Sequence, residues 1–268
     1  MDLSIVGSGV IGQATGFGFS KFGHNVVFYD INEKTLATLK DSGHNISKSL
    51  LGAVQNSDVI FVCVPTPTVD GLMDFSIMRD AIVGIGEALR DVENYRVVVV
   101  RSTVLPSTTR CKVVPLLEKC SKLTAGDDFG VCMNPEFLRE KTAFQDFLNP
   151  DRVVIGEFDK RSGDLLEKVY SSFKAPVIRT SLDSAEMIKY ASNAILATKI
   201  SFINAIATIC EKVNADVLLV SEGMGLDKRI GNQFLNAGIG YGGSCFPKDT
   251  IALIKIAEKA GYDFRLLK

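Results

Sequence analysis

Gly7-Ser8-Gly9-Val10-Ile11-Gly12 decides the fold. It is a GxGxxG that directly follows the apolar run Leu3-Val6 and opens a helical pattern. Each glycine in that spacing has a mechanical reason. Gly7 permits a tight turn, Gly9 lets the backbone approach a pyrophosphate, and Gly12 lets the helix pack close on the strand. The helix opening at Val10 and Ile11 offers free N–H groups and the positive end of its dipole to phosphates. Asp30 ends the second apolar run, eighteen residues after Gly12. A carboxylate there accepts hydrogen bonds from ribose hydroxyls and repels a 2′-phosphate, which points to NAD rather than NADP. A GxGxxG alone is weak, since glycines also shape turns that bind nothing. Strand, helix and acidic residue in order make it specific.

Outward from this motif, short apolar runs alternate with longer amphipathic ones. Strands are expected at Leu3-Val6, Val26-Tyr29, Val59-Val64, Arg96-Val100, Phe129-Met133 and Val153-Ile155. Helices are expected near Val10-Phe22, Glu33-Asp41, Phe75-Arg90, Thr108-Cys120 and Lys160-Ser172. Continuously apolar, β-branched strands between helices predict a parallel sheet covered on both faces. After Val177-Ile178 the pattern changes. Asp183 with Glu186 three residues on resembles a helix start, and the helical pattern runs to about Val213 without Pro or Gly. A second helix follows over roughly Ala215-Met224, then a Gly-rich loop, then a helix from about Lys248 to Ala260. The expected fold is α/β: a Rossmann-type, doubly wound parallel sheet over residues 1–180, followed by a mostly helical central domain over 181–268.

The composition agrees with a globular chain. Of 268 residues, 46% are hydrophobic and 23% charged, and the formal net charge is −1. That balance argues against a nucleic-acid-binding surface. Six cysteines without a CxxC and only two histidines, His24 and His44, argue against structural zinc and against a Ser-His-Asp hydrolase; no metal is expected. Scattered cysteines suit a reducing cytoplasm. The uncharged stretch Leu3-Ser20 is broken by five glycines, so it reads as a buried strand-turn-helix and not a membrane span.

Four further segments carry candidate chemistry. Val64-Pro65-Thr66-Pro67-Thr68 and Ser102-Thr103-Val104 follow the third and fourth strands, where the carboxyl edge of an open sheet binds ligands; each is equally an ordinary proline turn or hydroxyl cap. Asn134-Pro135-Glu136-Phe137-Leu138-Arg139-Glu140 follows the Phe129-Met133 strand. Glu136 or Glu140 could activate water there, or the segment is a solvated turn. On the long helix, Lys189 and Asn193 share a face, with Glu186, Ile200 and Asn204 near the same stripe. A lysine among Met187, Ile188 and Ala191 needs a partner or a task; the alternative is a solvated edge with a Glu186-Lys189 pair. Most informative is Gly238-Ile239-Gly240-Tyr241-Gly242-Gly243-Ser244-Cys245-Phe246-Pro247-Lys248-Asp249. Its glycines expose backbone N–H groups, and Cys245 precedes a helix, where the dipole and nearby cations favour a thiolate. A buried, inert thiol is the usual fate of a cysteine, and Cys63 and Cys132, in apolar strands, are expected to meet it.

Taken in order, GSGVIG, VPTPT, RSTV, MNPEFLRE, EMIKYASNAILATKISFINAI and FLNAGIGYGGSCFPKD resemble the UDP-glucose dehydrogenases, within the UDP-glucose/GDP-mannose dehydrogenase family. The resemblance covers nearly the whole chain. It implies a four-electron, NAD-dependent oxidation of a sugar-nucleotide C6 alcohol, with Cys245 forming a thiohemiacetal and then a thioester. It implies that Lys189 and Asn193 stabilise the oxyanion, that Asp249 acts with a water in proton transfer, that Glu136 is the base for hydrolysis, and that Thr103 positions water or cofactor. It places Gly7, Gly9, Val10, Ile11, Gly12, Asp30, Val64, Thr66, Thr68, Ser102, Thr103, Glu140 and Lys248 near the cofactor. Glu136, Phe137, Leu138, Lys189, Asn193, Phe234, Leu235, Asn236, Gly240, Tyr241 and Gly242 would surround the substrate, and Arg229 would reach the substrate of a neighbouring subunit.

Family members continue beyond this length, with a long helix at the dimer core and a second Rossmann-like domain that grips the uridine diphosphate. The resemblance therefore implies a chain that ends at Arg265-Leu266-Leu267-Lys268, early in that helix and without the gripping domain. A cytoplasmic homodimer acting on UDP-glucose, with no nucleic-acid or membrane partner, is the expectation. Two alternatives stay open: a two-electron β-hydroxyacid-type dehydrogenase, which shares the Rossmann half and the Lys-xxx-Asn helix, and an NAD-binding protein without turnover of its own.

Overall fold

The computed structural model of the chain describes residues 1–69 and 72–268. Two compact units emerge, the first holding residues 1–69 and 73–189 and the second Leu72 with residues 190–268. The division falls inside a helix, a few residues past the change of pattern at 180/181.

In the first unit the chain runs β1 (Asp2–Val6), α1 (Val10–Lys21), β2 (Asn25–Tyr29), α2 (Glu33–Asp41), β3 (Asn45–Ile46), α3 (Leu50–Gln55) and β4 (Val59–Val62). Two short strands, β5 (Thr68–Val69) and β6 (Leu72–Met73), precede α4 (Ser76–Leu89) and β7 (Val97–Val100). A π-helical turn, Thr109–Val113, leads into α5 (Val114–Ser121) and β8 (Gly130–Met133). A 3₁₀ turn, Glu140–Thr142, then leads into α6 (Ala143–Leu148), β9 (Val153–Glu157), α7 (Lys160–Val169), β10 (Val177–Ser181) and the 32-residue α8 (Leu182–Val213). Eight strands form one sheet in the order β10-β9-β8-β7-β4-β1-β2-β3. The order reverses outward from β1, as in a doubly wound fold.

The strands are apolar throughout because both faces are covered. Ile60, Val62, Val98, Val100, Val131 and Met133 pack into one core, and their neighbours Val59, Phe61, Val97, Val99 and Cys132 into the other. One step departs from the expected parallel sheet. β9 runs antiparallel to β8, with Cys132 opposite Glu157 and Met133 opposite Gly156. α6 has six residues, about 9 Å of helix. That is too short to return the chain across the sheet, so β9 runs back from the edge where β8 ends. β10 then pairs parallel to β9 after the longer α7.

The start of α8 also differs from expectation. Ser181, not Asp183, caps it, with its hydroxyl oxygen accepting from the Ser184 N–H at 3.2 Å. Asp183 instead meets the Arg110 Nε at 2.8 Å.

The second unit comprises the rest of α8, α9 (Val217–Gly225), α10 (Phe246–Lys259) and the loop between them. Its buried apolar residues include Ala194, Ala197, Ile203 and Cys210 on α8, and Ala252, Leu253 and Ala257 on α10. α9 has no buried residue. Beyond α10, residues 261–268 form turns, with Leu267 N–H donating to Phe264 C=O at 3.1 Å; the helix expected near Arg265 is not there. Among the described residues one helix, α8, is long and apolar enough by length and composition to cross a membrane; it carries the buried polar residues Glu186, Lys189 and Asn193.

Candidate active site

The fingerprint loop leaves β1 at Gly7, whose φ is +92°. A Cβ there would lie 2.8 Å from the Val64 nitrogen, so the turn packs directly against the loop after β4. At Gly12 a Cβ would come within 2.0 Å of the Gly7 carbonyl oxygen, which closes α1 onto the turn. Gly9 behaves oppositely: nothing lies within 4 Å of where its Cβ would stand, and no side chain caps α1 at that residue. An open backbone at the start of a 12-residue helix suits a pyrophosphate. Asp30 lies just past β2, its Oδ2 accepting from the Ser8 N–H at 2.6 Å and its Oδ1 from the Asn32 N–H at 2.9 Å. The carboxylate is therefore held at the rim of the same loop. The residues fit a dinucleotide with an unphosphorylated adenosine ribose.

The loops after β4 and β7 are tied together. Thr66 Oγ1 donates to the Thr103 carbonyl at 2.8 Å, and Ser102 Oγ donates to the Val64 carbonyl at 2.6 Å. Thr68, in β5, is exposed.

Glu136 and Lys189, separated by 53 residues, form a buried ion pair with Lys189 Nζ donating to Glu136 Oε1 at 3.0 Å. They are 7% and 3% exposed. Both bland alternatives are thereby overturned: Glu136 is not in a solvated turn, and Lys189 is not on a solvated helix edge with Glu186. The second Glu136 oxygen, Oε2, accepts from the Leu138 N–H at 2.6 Å. The Phe137 ring lies under the Arg152 guanidinium at 3.8 Å and 5.5 Å from Lys189 Nζ. Glu140 is exposed at the start of the 3₁₀ turn.

Glu186 faces elsewhere. It is fully buried, and its Oε1 accepts from the Thr109 N–H at 2.8 Å, where the π-helical turn begins. Its Oε2 has no hydrogen-bond partner among the described residues. Burial pushes its carboxyl up to about 7, against hydrogen bonding from Thr109.

A second network escaped the sequence reading. Arg101, 4% exposed, ends the Val97–Val100 strand. Its Nε donates to Thr15 Oγ1 at 2.9 Å and its Nη1 to Asn134 Oδ1 at 2.5 Å. Tyr170 OH donates to the same Asn134 oxygen at 2.6 Å, and Asn134 Nδ2 donates to the Val154 carbonyl at 2.8 Å. The residue two before Glu136 is thus fixed from three sides. An arginine directly after four valines was the available signal, since a cation at the end of a buried strand must find partners.

In the second unit Cys245 immediately precedes α10, partly exposed behind the exposed Gly242, Gly243 and Ser244. Ser244 Oγ lies 3.6 Å from its sulfur. One turn on, Asp249 is 1% exposed. Asn193 Nδ2 donates to its Oδ2 at 2.6 Å and Lys248 Nζ to its Oδ1 at 2.5 Å. The other thiols differ. Burial pushes Cys63 and Cys132 up to about 12, which leaves them protonated and unreactive at neutral pH. Leu235 is buried at 3% exposed, Phe234 has φ +63°, and Asn236, Gly240, Tyr241 and Gly242 are exposed. Arg229 is solvent-facing and held by Asp227, Nη2 to Oδ2 at 2.6 Å.

Comparison with known proteins adds an independent line. Residues 43–174 match the NAD binding domain of the UDP-glucose/GDP-mannose dehydrogenase family, and residues 183–268 match its central domain. A UDP-glucose 6-dehydrogenase of Bacillus subtilis, TuaD, is 43% identical over 99% of this chain and 61% of its own length. AglM, a UDP-glucose 6-dehydrogenase of Haloferax volcanii, is 41% identical over the whole chain and 68% of its own length. A solved UDP-glucose dehydrogenase from Pyrobaculum islandicum superposes with a TM-score of 0.90 at 38% identity, over 99% of this chain and 66% of that one. The chain thus spans about two thirds of the length of the proteins it matches.

Proposed function

Since the chain belongs to the UDP-glucose/GDP-mannose dehydrogenase family, we propose that it oxidises the C6 alcohol of UDP-glucose to the carboxylate of UDP-glucuronate. The observation that carries this reading is Cys245 at the start of α10 with a buried Asp249 one turn on, clamped by Asn193 and Lys248. A simple hydroxyacid oxidation has no use for a nucleophile there.

Gly7, Gly9, Val10, Ile11 and Gly12 would hold the pyrophosphate of NAD and Asp30 its ribose; each NAD would supply one hydride acceptor, so the four-electron oxidation would use two NAD in turn. The chain's own residues do the rest. The alcohol would first give up a hydride to NAD and, through a water, a proton to the Asp249 carboxylate, and so become an aldehyde. The Cys245 thiolate adds to the aldehyde carbon, and the carbonyl oxygen takes the negative charge. The Lys189 ammonium and Asn193 amide would donate to that oxygen. Loss of a second hydride converts the thiohemiacetal into a thioester. Glu136 would take a proton from water, the hydroxide adds to the thioester carbon, and the C–S bond breaks to return the thiolate. Per sugar, one water is consumed and two NAD are reduced.

The buried Glu136–Lys189 pair supports these two roles. The carboxylate and the ammonium lie 3.0 Å apart and both side chains are buried. The pair also places the general base and the oxyanion donor on one hydrogen bond, so a proton taken up by Glu136 weakens its hold on Lys189.

Stoichiometry tests the proposal. Two NADH per UDP-glucose, with acid formation abolished in Cys245→Ala while calorimetry still detects NAD binding, is expected. One NADH per substrate would establish the two-electron alternative. NAD binding without UDP-glucose binding or NADH production would establish the non-catalytic one. UDP-glucuronate from the Cys245→Ala variant would refute covalent catalysis.

We also propose a cytoplasmic homodimer. Six free cysteines support a reducing compartment. On α8, Ile195, Phe202 and Ile209 recur every seven residues at 55%, 48% and 53% exposed. Such a spacing suits a helix–helix seam. Light scattering on the purified chain, with Phe202→Glu as the disrupting variant, distinguishes dimer from monomer.

A further inference from the structure

The loop that presents Cys245 has little of its own to hold it. Of residues 236–244, all but Ala237 are exposed. Gly240 and Gly243 take φ values of +101° and +82°, and glycine-rich segments lose the most conformational freedom on ordering. Two α8 side chains meet this region's main chain. Lys199 Nζ donates to the Ile230 carbonyl at 3.1 Å and the Gly231 carbonyl at 3.3 Å. Asn204 Oδ1 accepts from the Gly238 N–H at 2.8 Å. Between these points the Leu235 side chain is buried. The Phe234 ring lies 6.0 Å from that of Phe246, the residue after Cys245.

Neither side chain serves the helix it belongs to. Asparagine is unfavourable inside a helix because its amide competes for backbone groups. Here that amide is turned onto a loop 34 residues away. Lys199 sets its ammonium against two main-chain carbonyls.

We propose that Lys199 and Asn204 are positioning residues: together they pin the segment from Ile230 to Gly238 onto α8 and so fix the register of the glycine loop that ends at Cys245. The consequence for turnover rests on Cys245 being the nucleophile; the pinning itself does not. One net hydrogen bond shifts a local opening equilibrium roughly 2- to 10-fold.

The test uses the full chain without substrate. Hydrogen exchange is followed in peptides covering 230–243, and iodoacetamide alkylation of Cys245 by mass spectrometry, with exposed Cys111 as internal reference. Asn204→Ala is expected to speed exchange over 236–243 and to change the Cys245 rate relative to Cys111 by roughly 2- to 10-fold. Asn204→Asp, which keeps an acceptor, is expected to restore both. Lys199→Met is expected to speed exchange over 230–235, and Lys199→Arg to restore it. Wild-type exchange in both Asn204→Ala and Lys199→Met overturns the proposal. So does an Asn204→Asp chain as loose as Asn204→Ala, or a Lys199→Arg chain as loose as Lys199→Met, since bulk packing would then be the cause. Should Asn204→Ala loosen the whole unit, the Lys199 pair decides alone. A failure of the nucleophile reading shows separately, as turnover surviving in Cys245→Ala, and leaves the exchange results standing.

Discussion

Glu186 offers the sharpest quantitative prediction. Its carboxyl is fully buried, one oxygen takes the Thr109 N–H, and the other has no partner among the described residues. Burial lifts its pKa from 4.5 to about 7. Below pH 4.5 both folded and unfolded chains carry the proton, and the group's preference for the folded state is fully expressed. Between 4.5 and 7 the unfolded chain releases the proton while the folded chain keeps it, so stability falls with rising pH. Above about 7 the whole penalty of an ionised, buried carboxylate is in force. The shift corresponds to about 3 kcal/mol. Glu186→Gln keeps an acceptor for Thr109 and removes the charge. It is therefore expected to match the parent near pH 4.5 and to exceed it by up to about 3 kcal/mol at pH 8, a rise in Tm of roughly 6–12 °C. Thermal unfolding by circular dichroism at pH 5 and pH 8, parent against variant, isolates the effect because every other titrating group cancels. A stability difference that does not widen between the two pH values would refute the reasoning.

Two other predictions follow from the same physics. Glu136→Gln leaves Lys189 charged and buried without a counter-ion, which is expected to cost about 3–5 kcal/mol in urea unfolding; Glu136→Gln with Lys189→Met should recover much of that loss, and additive losses would mean the pair is not coupled. Asp30→Ala removes charge-assisted acceptors at the fingerprint rim. It is expected to weaken NAD binding at least tenfold by calorimetry and to narrow the preference over NADP, whereas an unchanged preference would place ribose recognition elsewhere.

The nucleotide-binding architecture was legible because strands buried on both faces must be apolar along their whole length, and Val97–Val100 or Val59–Val62 leaves no other choice. The antiparallel β9 was not, because strand direction depends on how far the preceding segment travels and not on strand composition. β3 is two residues with little apolar signal, and β10 is a half-exposed edge strand that reads as mixed. In the site, types were legible and partners were not. Lys189 announced a need for a counter-charge, and spacing along the helix suggested Glu186. The fold supplied Glu136 from another segment and turned Glu186 to Thr109. Cys63 and Cys132 were expected to be inert and are, by burial. Lys199 gave no signal because its partners are carbonyls, which every residue has.

The stitches between Thr66 and Thr103 and between Ser102 and Val64 bear on how this protein can be redesigned. Segments joined at two crossing points share one conformation, so a mutation in either is reported by both. A library that varies Thr66 or Ser102 one at a time will score mostly broken stitches and mistake them for lost chemistry. Both acceptors are main-chain carbonyls that no substitution removes, so varying Thr66 and Ser102 together among hydroxyl and non-hydroxyl residues, with folding scored beside turnover, is the way to separate scaffold from function at this edge of the sheet.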